Sequence, residues 1–469
     1  MKNYFLAAVF ALFGICPEFA LGAAPALDAL SRAAGDDAVL AASPAPAPRP
    51  AAESAKPPAL PLAKKEWTVM IFANGSRDQF DYLKKDLEAM SAVGTTAKIN
   101  VLLEVGLPQT STSTIVQRML VLRSDDTAPK GAIYKEWKSR DMGDWRNMAE
   151  FVKWAKTNFP AKRFMFIISA HGTGFLDLSF PTSHTKGLSS DEITGNYMKI
   201  PQLKSLFGET GHVDIFLQEA CLMQTAEVGY EIGDKVDLIM GSEELGLAYL
   251  GQYAEKLAYL DAHPRESLGK IAAAFAQMFR HALTPGSMIT DPITGREPKY
   301  PSRTFSAVRG LELKNLPAKL DAWVKTVIAA NEPEIISNAL KTTVRFGSLC
   351  KTPMCNPNIL PYTDLAWFIR QIGGTSENQG VRDASAELIK FIDNRLVVAN
   401  GALNVNPAGI DYSKLSGIGI KMLSVQPTDA MLQGMGVKVD TEYGDLALSK
   451  DSQWDEFLNW IGKSYYPQR

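Results

Sequence analysis

Arg163-Phe-Met-Phe-Ile-Ile-Ser169, running straight into Ala170-His171-Gly172-Thr173-Gly174, is the stretch on which the reading of this chain turns. Phe164 to Ile168 are apolar without a break. That is the pattern of a strand covered on both faces, since a strand with one wet face alternates apolar and polar residues. Just upstream, residues 145–159 carry Met148, Phe151, Val152 and Ala155 on one helical face, and Pro160 stops the helix. Downstream, a short helical segment at 200–206 leads into Val213-Asp-Ile-Phe-Leu217, a second strand. The same alternation extends both ways. Strands are expected at 67–73, 99–105, 115–122 and 236–240, and helices at 78–92, 222–232 and 264–283. Continuous apolar strands separated by amphipathic helices predict an α/β fold, a doubly wound, mostly parallel sheet flanked by helices.

The segments outside this alternation set the organisation. Lys2 precedes an apolar stretch at 4–15, too short to span a bilayer, and Ala20-Leu21-Gly22 fits a small-x-small cleavage site. Residues 1–22 therefore read as a signal peptide and the protein as secreted or periplasmic. Ile15 is too bulky for the small residue that lipidation of Cys16 would need before it. Residues 23–65 are rich in Ala and Pro, as in Ser43-Pro-Ala-Pro-Ala-Pro-Arg-Pro50, and read as an extended linker or propeptide. The core domain is expected over 66–300. Residues 301–469 form a mixed α/β extension or subdomain, with helices at 316–330, 363–372, 381–398 and 454–465 and strands at 303–308 and 418–423.

Composition excludes several classes of protein. The 469 residues carry a net charge of -2, with 46% hydrophobic and 21% charged, so no overall basicity draws the chain to nucleic acid. No apolar run beyond the first thirty residues is long enough to cross a membrane, so no integral membrane segment remains after signal removal.

There are four cysteines and five histidines, few enough to weigh one by one. Cys16 leaves with the signal peptide. Cys350 and Cys355, separated by Lys-Thr-Pro-Met, are spaced to pair across a turn in an oxidising compartment. No second Cys or His pair stands at metal-ligand spacing, so no metal site is expected. Cys221 is the odd thiol. His184, His212, His263 and His281 fall in loops or late in a helix, whereas His171 directly follows an apolar strand.

Reactive groups gather at the carboxyl ends of strands in open α/β sheets. His171 stands just past one strand end. Cys221, in Gln218-Glu219-Ala220-Cys221-Leu222-Met223, stands just past another. Neighbouring parallel strands would bring these tips together. A thiolate is the nucleophilic form of cysteine, and the N-terminus of the helix expected from Leu222 favours it. His171 is positioned to act as acid and base toward a leaving amine. Gly172 lets the backbone approach a carbonyl closely, and the N–H groups of Gly172 and Cys221 are candidates for an oxyanion hole.

With these residues in view, the sequence resembles the clostripain-like cysteine peptidases, relatives of caspases, legumains and gingipains. The specific residues are Ser169-Ala-His-Gly-Thr-Gly174 and Glu219-Ala-Cys-Leu-Met223. Trp67-Thr-Val-Met-Ile-Phe-Ala73, Asp141-Met-Gly-Asp144, Ala226-Glu-Val-Gly-Tyr-Glu231 and Gly241-Ser-Glu-Glu244 add to them. Fainter echoes at Phe305-Ser-Ala307, Thr363-Asp-Leu365 and Ser416-Gly-Ile418 carry the likeness to nearly all of 66–465. The resemblance implies a caspase-like peptidase domain and a Cys221–His171 dyad with Gly172 and Cys221 at the oxyanion. It also implies endopeptidase action on proteins or peptides after Arg or Lys at P1. In the family an acidic residue two positions before the cysteine lines the S1 pocket. Here it is Glu219 where Asp is usual, with Glu243 or Glu244 as a candidate second acidic wall. Ala170 replaces a commonly polar residue, and Asn74-Gly-Ser-Arg-Asp78 replaces the usual Asp-Asn stretch. Some members cut themselves, and Lys186, in the polar loop between His171 and Cys221, is the candidate self-cleavage site of a zymogen. Calcium is needed by some relatives, but no EF-hand-like loop supports it here, and no other cofactor is implied.

Overall fold

The computed structural model of the chain describes residues 53–75, 79–110, 112–125, 130–175, 178–179, 187–299, 301–347, 362–406, 409–422, 438–439 and 443–465. In chain order the strands are β1 (Glu53–Ala55), β2 (Lys65–Asn74), β3 (Ile99–Thr110), β4 (Ser113–Leu122), β5 (Lys130–Trp137), β6 (Ala161–Ser169) and β7 (Leu178–Ser179). There follow β8 (Val213–Glu219), β9 (Val236–Gly241), β10 (Ser306–Arg309), β11 (Tyr362–Asp364), β12 (Val397–Asn400), β13 (Gly419–Lys421) and β14 (Lys438–Val439).

A ten-stranded sheet in the order β1-β5-β4-β3-β2-β6-β8-β9-β10-β12 organises the molecule. Its centre, β3-β2-β6-β8-β9, is parallel throughout. The antiparallel pairs lie to either side, β3–β4–β5 on one flank and β9–β10–β12 on the other. The other four strands make two small ribbons, β11–β13 and β14–β7.

Strand residues alternate between two cores. Met70, Phe72, Phe166, Ile168 and Phe216 face the first, with Phe151 of helix Trp145–Asn158, Leu203 of helix Ile200–Thr210 and Val228 of helix Ala226–Ile232. Val69, Ile71, Met165, Ile167 and Leu217 face the second, with Leu83 of helix Phe80–Val93, Leu257 of helix Tyr253–Ala262 and Phe275 of helix Leu268–Ala282. Because both faces are covered, the central strands carry no polar alternation, which is why they read as unbroken apolar runs. Each fully buried side chain of this size contributes about 1.5–3 kcal/mol.

Several expectations shift. The strand β5 was not anticipated, because Lys130, Lys135 and Glu136 interrupt its apolar pattern. The helix expected at 264–283 is Leu268–Ala282, capped by the Ser267 side chain, and a separate helix, Tyr253–Ala262, precedes it. The helix expected to run to 398 ends at Phe391, passes through a π turn at Ile392–Leu396 and becomes β12. Residues past 300 thus extend the same sheet through β10 and β12. Their helices Leu316–Ala330, Leu365–Thr375 and Gln379–Phe391 bury Trp323, Phe368 and Leu388 in the first core. Within the stretch expected to be linker, Ala55 closes a short parallel pairing of β1 with β5.

Candidate active site

The two strand ends singled out by the sequence are neighbours. β6 and β8 pair in parallel with Ser169 opposite Glu219, and the Ala170 N–H donates to the Glu219 carbonyl at 3.2 Å. His171 and Cys221 each lie two residues past this shared rung, so their loops leave the sheet side by side. Gly172 is where the loops touch: a Cβ there would sit 2.7 Å from the Cys221 carbonyl oxygen and 3.0 Å from Ala220 Cβ. Only glycine allows that approach. The histidine loop is held by the Ser189 N–H donating to the His171 carbonyl at 3.1 Å and by the Tyr362 hydroxyl donating to the Thr173 carbonyl at 2.6 Å. On the imidazole itself, Gln79 Nε2 lies 3.2 Å from Nδ1. The amide N–H donates there when the ring proton sits on Nε2.

Cys221 does not stand at the N-terminus of a helix beginning at Leu222, the place expected for it. The helix begins at Ala226, where the Thr225 side chain caps it by accepting from the Val228 N–H, and Cys221 stands in the turn before it. Polar Gln224 and Thr225 delay the helix, and Leu222 takes a left-handed φ of +62° that a helix cannot contain. For a side chain as bulky as leucine, that conformation stores strain close to the thiol. The thiol gains its support elsewhere. The Gly246 N–H, on the loop after β9, donates to Cys221 Sγ at 3.2 Å, and the Leu222 N–H donates to the Glu244 carbonyl at 3.3 Å. Cys221 is in no disulfide.

Glu219 keeps a partly exposed side chain, at 15%, and is paired with Lys256 of helix Tyr253–Ala262, Nζ to Oε1 at 2.8 Å. Lys256 is itself buried, with its ammonium over the rings of Phe275 and Phe305 at 5.9 and 5.8 Å. Two further groups belong to this cluster. Burial and the Glu219 charge push the Asp86 carboxyl well above the usual range, while Lys256 opposes them. Tyr253 is pushed up as well, by burial and then by Glu219 and Asp86. Neither Asp86 nor Lys256 carries a sequence signal: Lys256 lies on helix Tyr253–Ala262, which has no side-chain cap to announce it, and Asp86, on helix Phe80–Val93, meets Glu219 only through the tertiary fold.

Glu243 and Glu244 are 1% and 0% exposed. A place in a pocket wall does not fit that burial. Glu244 is spent internally, accepting from the Leu245 N–H at 2.8 Å, the Gly347 N–H at 2.6 Å and the Tyr412 hydroxyl at 2.6 Å. Glu243 faces inward toward Asp364, and burial, reinforced by that carboxylate, pushes its carboxyl well above the usual range. Asp364 in turn accepts from the Ser416 N–H at 2.6 Å and the Gly417 N–H at 3.1 Å. The C-terminal half therefore braces the loops around the thiol. Lys186, Cys350 and Cys355 lie outside the described residues. Among the described residues, no cluster of three or more His, Cys, Asp or Glu side chains is placed to hold a metal ion. No helix among them is long and apolar enough to cross a membrane.

A parallel sheet that sets a histidine and a cysteine at adjacent strand tips, under glycine, is the architecture of the caspase-like cysteine peptidases. Residues 71–460 match the clostripain family, peptidase family C11, and the chain belongs to that family as a cysteine protease. Its fold is shared with an inactive zymogen C11 protease from Parabacteroides distasonis, at TM-score 0.56 and 17% identity, over 83% of this chain and 99% of that one. A secreted C11 cysteine protease from Bacteroides thetaiotaomicron aligns at TM-score 0.54 and 14% identity, over 83% of this chain and 100% of that one. A structure of a secreted protease from the same organism, in complex with an irreversible peptide inhibitor, aligns at TM-score 0.52 and 19% identity, over 85% and 99% of the two chains. No curated protein matches the chain.

Proposed function

We propose that this protein is an exported endopeptidase that cuts after a basic P1 residue, with Cys221 as nucleophile and His171 as general acid and base. The observation that carries the reading is the Ser169–Glu219 rung, with the Gly172 backbone lying against Cys221 just beyond it. It supports a reading in which the imidazole, the thiol and the two backbone N–H groups act together.

In this reading the thiolate of Cys221, supported by the Gly246 N–H, attacks the scissile carbonyl carbon. The N–H groups of Gly172 and Cys221 receive the oxyanion, an interaction typically worth about 3 kcal/mol per donor in the transition state. Collapse breaks the C–N bond, and the amine leaves with the proton of the His171 imidazolium. Water then attacks the thioester, giving its proton to His171 and releasing the acid. Thiol, imidazole and backbone supply all of this chemistry, so no cofactor is required. Glu219 supplies the negative charge that selects a basic side chain. Export rests on the signal-like segment at 1–22, and self-processing at Lys186 on its place in the polar loop.

Matched fluorogenic peptides with Arg, Lys, Ala or Asp at P1 test the reading, under reducing conditions, with and without calcium, alongside Cys221→Ala. Turnover of the basic pair, lost in the variant, is expected. Turnover confined to Ala or Asp peptides, or surviving in Cys221→Ala, refutes it. A single uncut chain in active preparations would remove self-processing.

A further inference from the structure

The pocket acid already has a cation on it. Lys256 Nζ sits 2.8 Å from Glu219 Oε1, both groups are largely out of water, and the rings of Phe275 and Phe305 flank the ammonium. A lysine so enclosed cannot swing into solvent to make room for a substrate. Buried in this way, with its charge met by Glu219, it is a fixed part of the site. The rest of the carboxylate is crowded as well. Glu219 Oε2 would lie 3.3 Å from a Cβ on Gly251, which leaves only backbone on that side, and Tyr253 stands against the same carboxylate.

Arginine and lysine ask different things of a carboxylate. The guanidinium binds best through two parallel N–H···O bonds, one to each oxygen, and that fork gives it its advantage over an ammonium. Where one oxygen is already held by a resident ammonium, the fork must share that oxygen with it, against the repulsion of a second cation, and loses much of its advantage. A lysine ammonium is a point donor and needs only one oxygen.

From this geometry we infer that Lys256 is a specificity-determining residue that turns the P1 pocket toward lysine and away from arginine. The inference rests on Glu219 lining the P1 pocket, as proposed above.

The test is the ratio of kcat/KM for peptides that differ only in P1 Lys or Arg, measured on the full mature chain and on Lys256→Met. The wild type should favour lysine by about tenfold, the value of one charge-assisted hydrogen bond lost to arginine. Lys256→Met, which keeps the length and removes the charge, frees the second oxygen. It should lift turnover of the arginine peptide more than that of the lysine peptide, bringing the ratio to one or below. Melting curves check that the variant folds, and Lys256→Gln is read in the same way if it does not. A wild type that prefers arginine overturns the inference whatever the variants do, and so does a ratio unmoved in a folded variant. In both cases the basic-P1 reading still stands. Cleavage of P1 Ala or Asp peptides with neither basic peptide cut overturns instead the reading on which the inference rests.

Discussion

Ser169 and Glu219 are direct partners across the parallel ladder of β6 and β8. One rung therefore sets the height of both proposed catalytic residues, and any change that alters the local backbone path past it acts on His171 and Cys221 together.

Gly172→Ala tests the contact between the two loops. The added methyl would lie 2.7 Å from the Cys221 carbonyl oxygen, so the loops must part. The expected loss in kcat/KM is roughly 10²–10³-fold, as for removal of an oxyanion donor. Wild-type turnover from a folded variant would remove Gly172 from the proposed machinery.

Gln79 is expected to position His171. Its amide lies 3.2 Å from Nδ1, and a ring without that partner samples unproductive orientations. Gln79→Ala should lower kcat by about tenfold or more with little change in KM. Gln79→Glu puts a carboxylate beside the imidazole and favours imidazolium, so the alkaline limb of the kcat–pH profile should move up. An unmoved limb would leave Gln79 a packing residue.

Glu243 makes a stability prediction with a definite sign. Its folded carboxyl is raised from the ordinary 4.5, first by burial and then by Asp364. The protonated folded state is favoured, so this stabilising contribution is complete below the unfolded value and lost as pH rises through the folded one. Glu243→Gln mimics the protonated form. It should match the wild type below about pH 4 and melt higher, by on the order of 2 °C or more, above neutrality. Equal melting temperatures at all pH values would contradict a protonated Glu243.

Glu244→Gln should act on fold and turnover alike. The carboxylate joins Leu245, Gly347 and Tyr412, beside the Gly246 N–H that meets the thiol. Replacing it leaves a buried N–H poorly satisfied, at a cost of about 1–3 kcal/mol. A lower urea midpoint with a lower kcat is expected. Loss of stability with kcat unchanged would mean that the brace does not reach Cys221.

Much of the fold was legible because burial on both faces writes itself into composition. The runs at 67–73, 163–169 and 213–217 and the helices between them are visible in any window of the sequence. The helix at Trp454–Tyr465 was read to the residue for the same reason. What escaped was whatever depends on partners far away in sequence. The edge strand β5 has no pure pattern because it is half wet. The helix Tyr253–Ala262 opens with Gln252 in a left-handed conformation and has no side-chain cap to announce it. The helix expected at 222–232 begins only at Ala226, because Leu222 is held at positive φ by surrounding structure.

The proposed site divides along the same line. The sequence by itself determined that a histidine and a cysteine follow two buried strands, with glycine after one and glutamate before the other, since local pattern places residues at strand ends. The tertiary structure decided which of those residues meet and what charge they feel. Glu219 is shared with Lys256, 37 positions away, and Glu244 is consumed by Gly347 and Tyr412, 103 and 168 positions away. Electrostatics at a site depends on distance in space and on exclusion of water, and neither is carried by the spacing of residues along a chain.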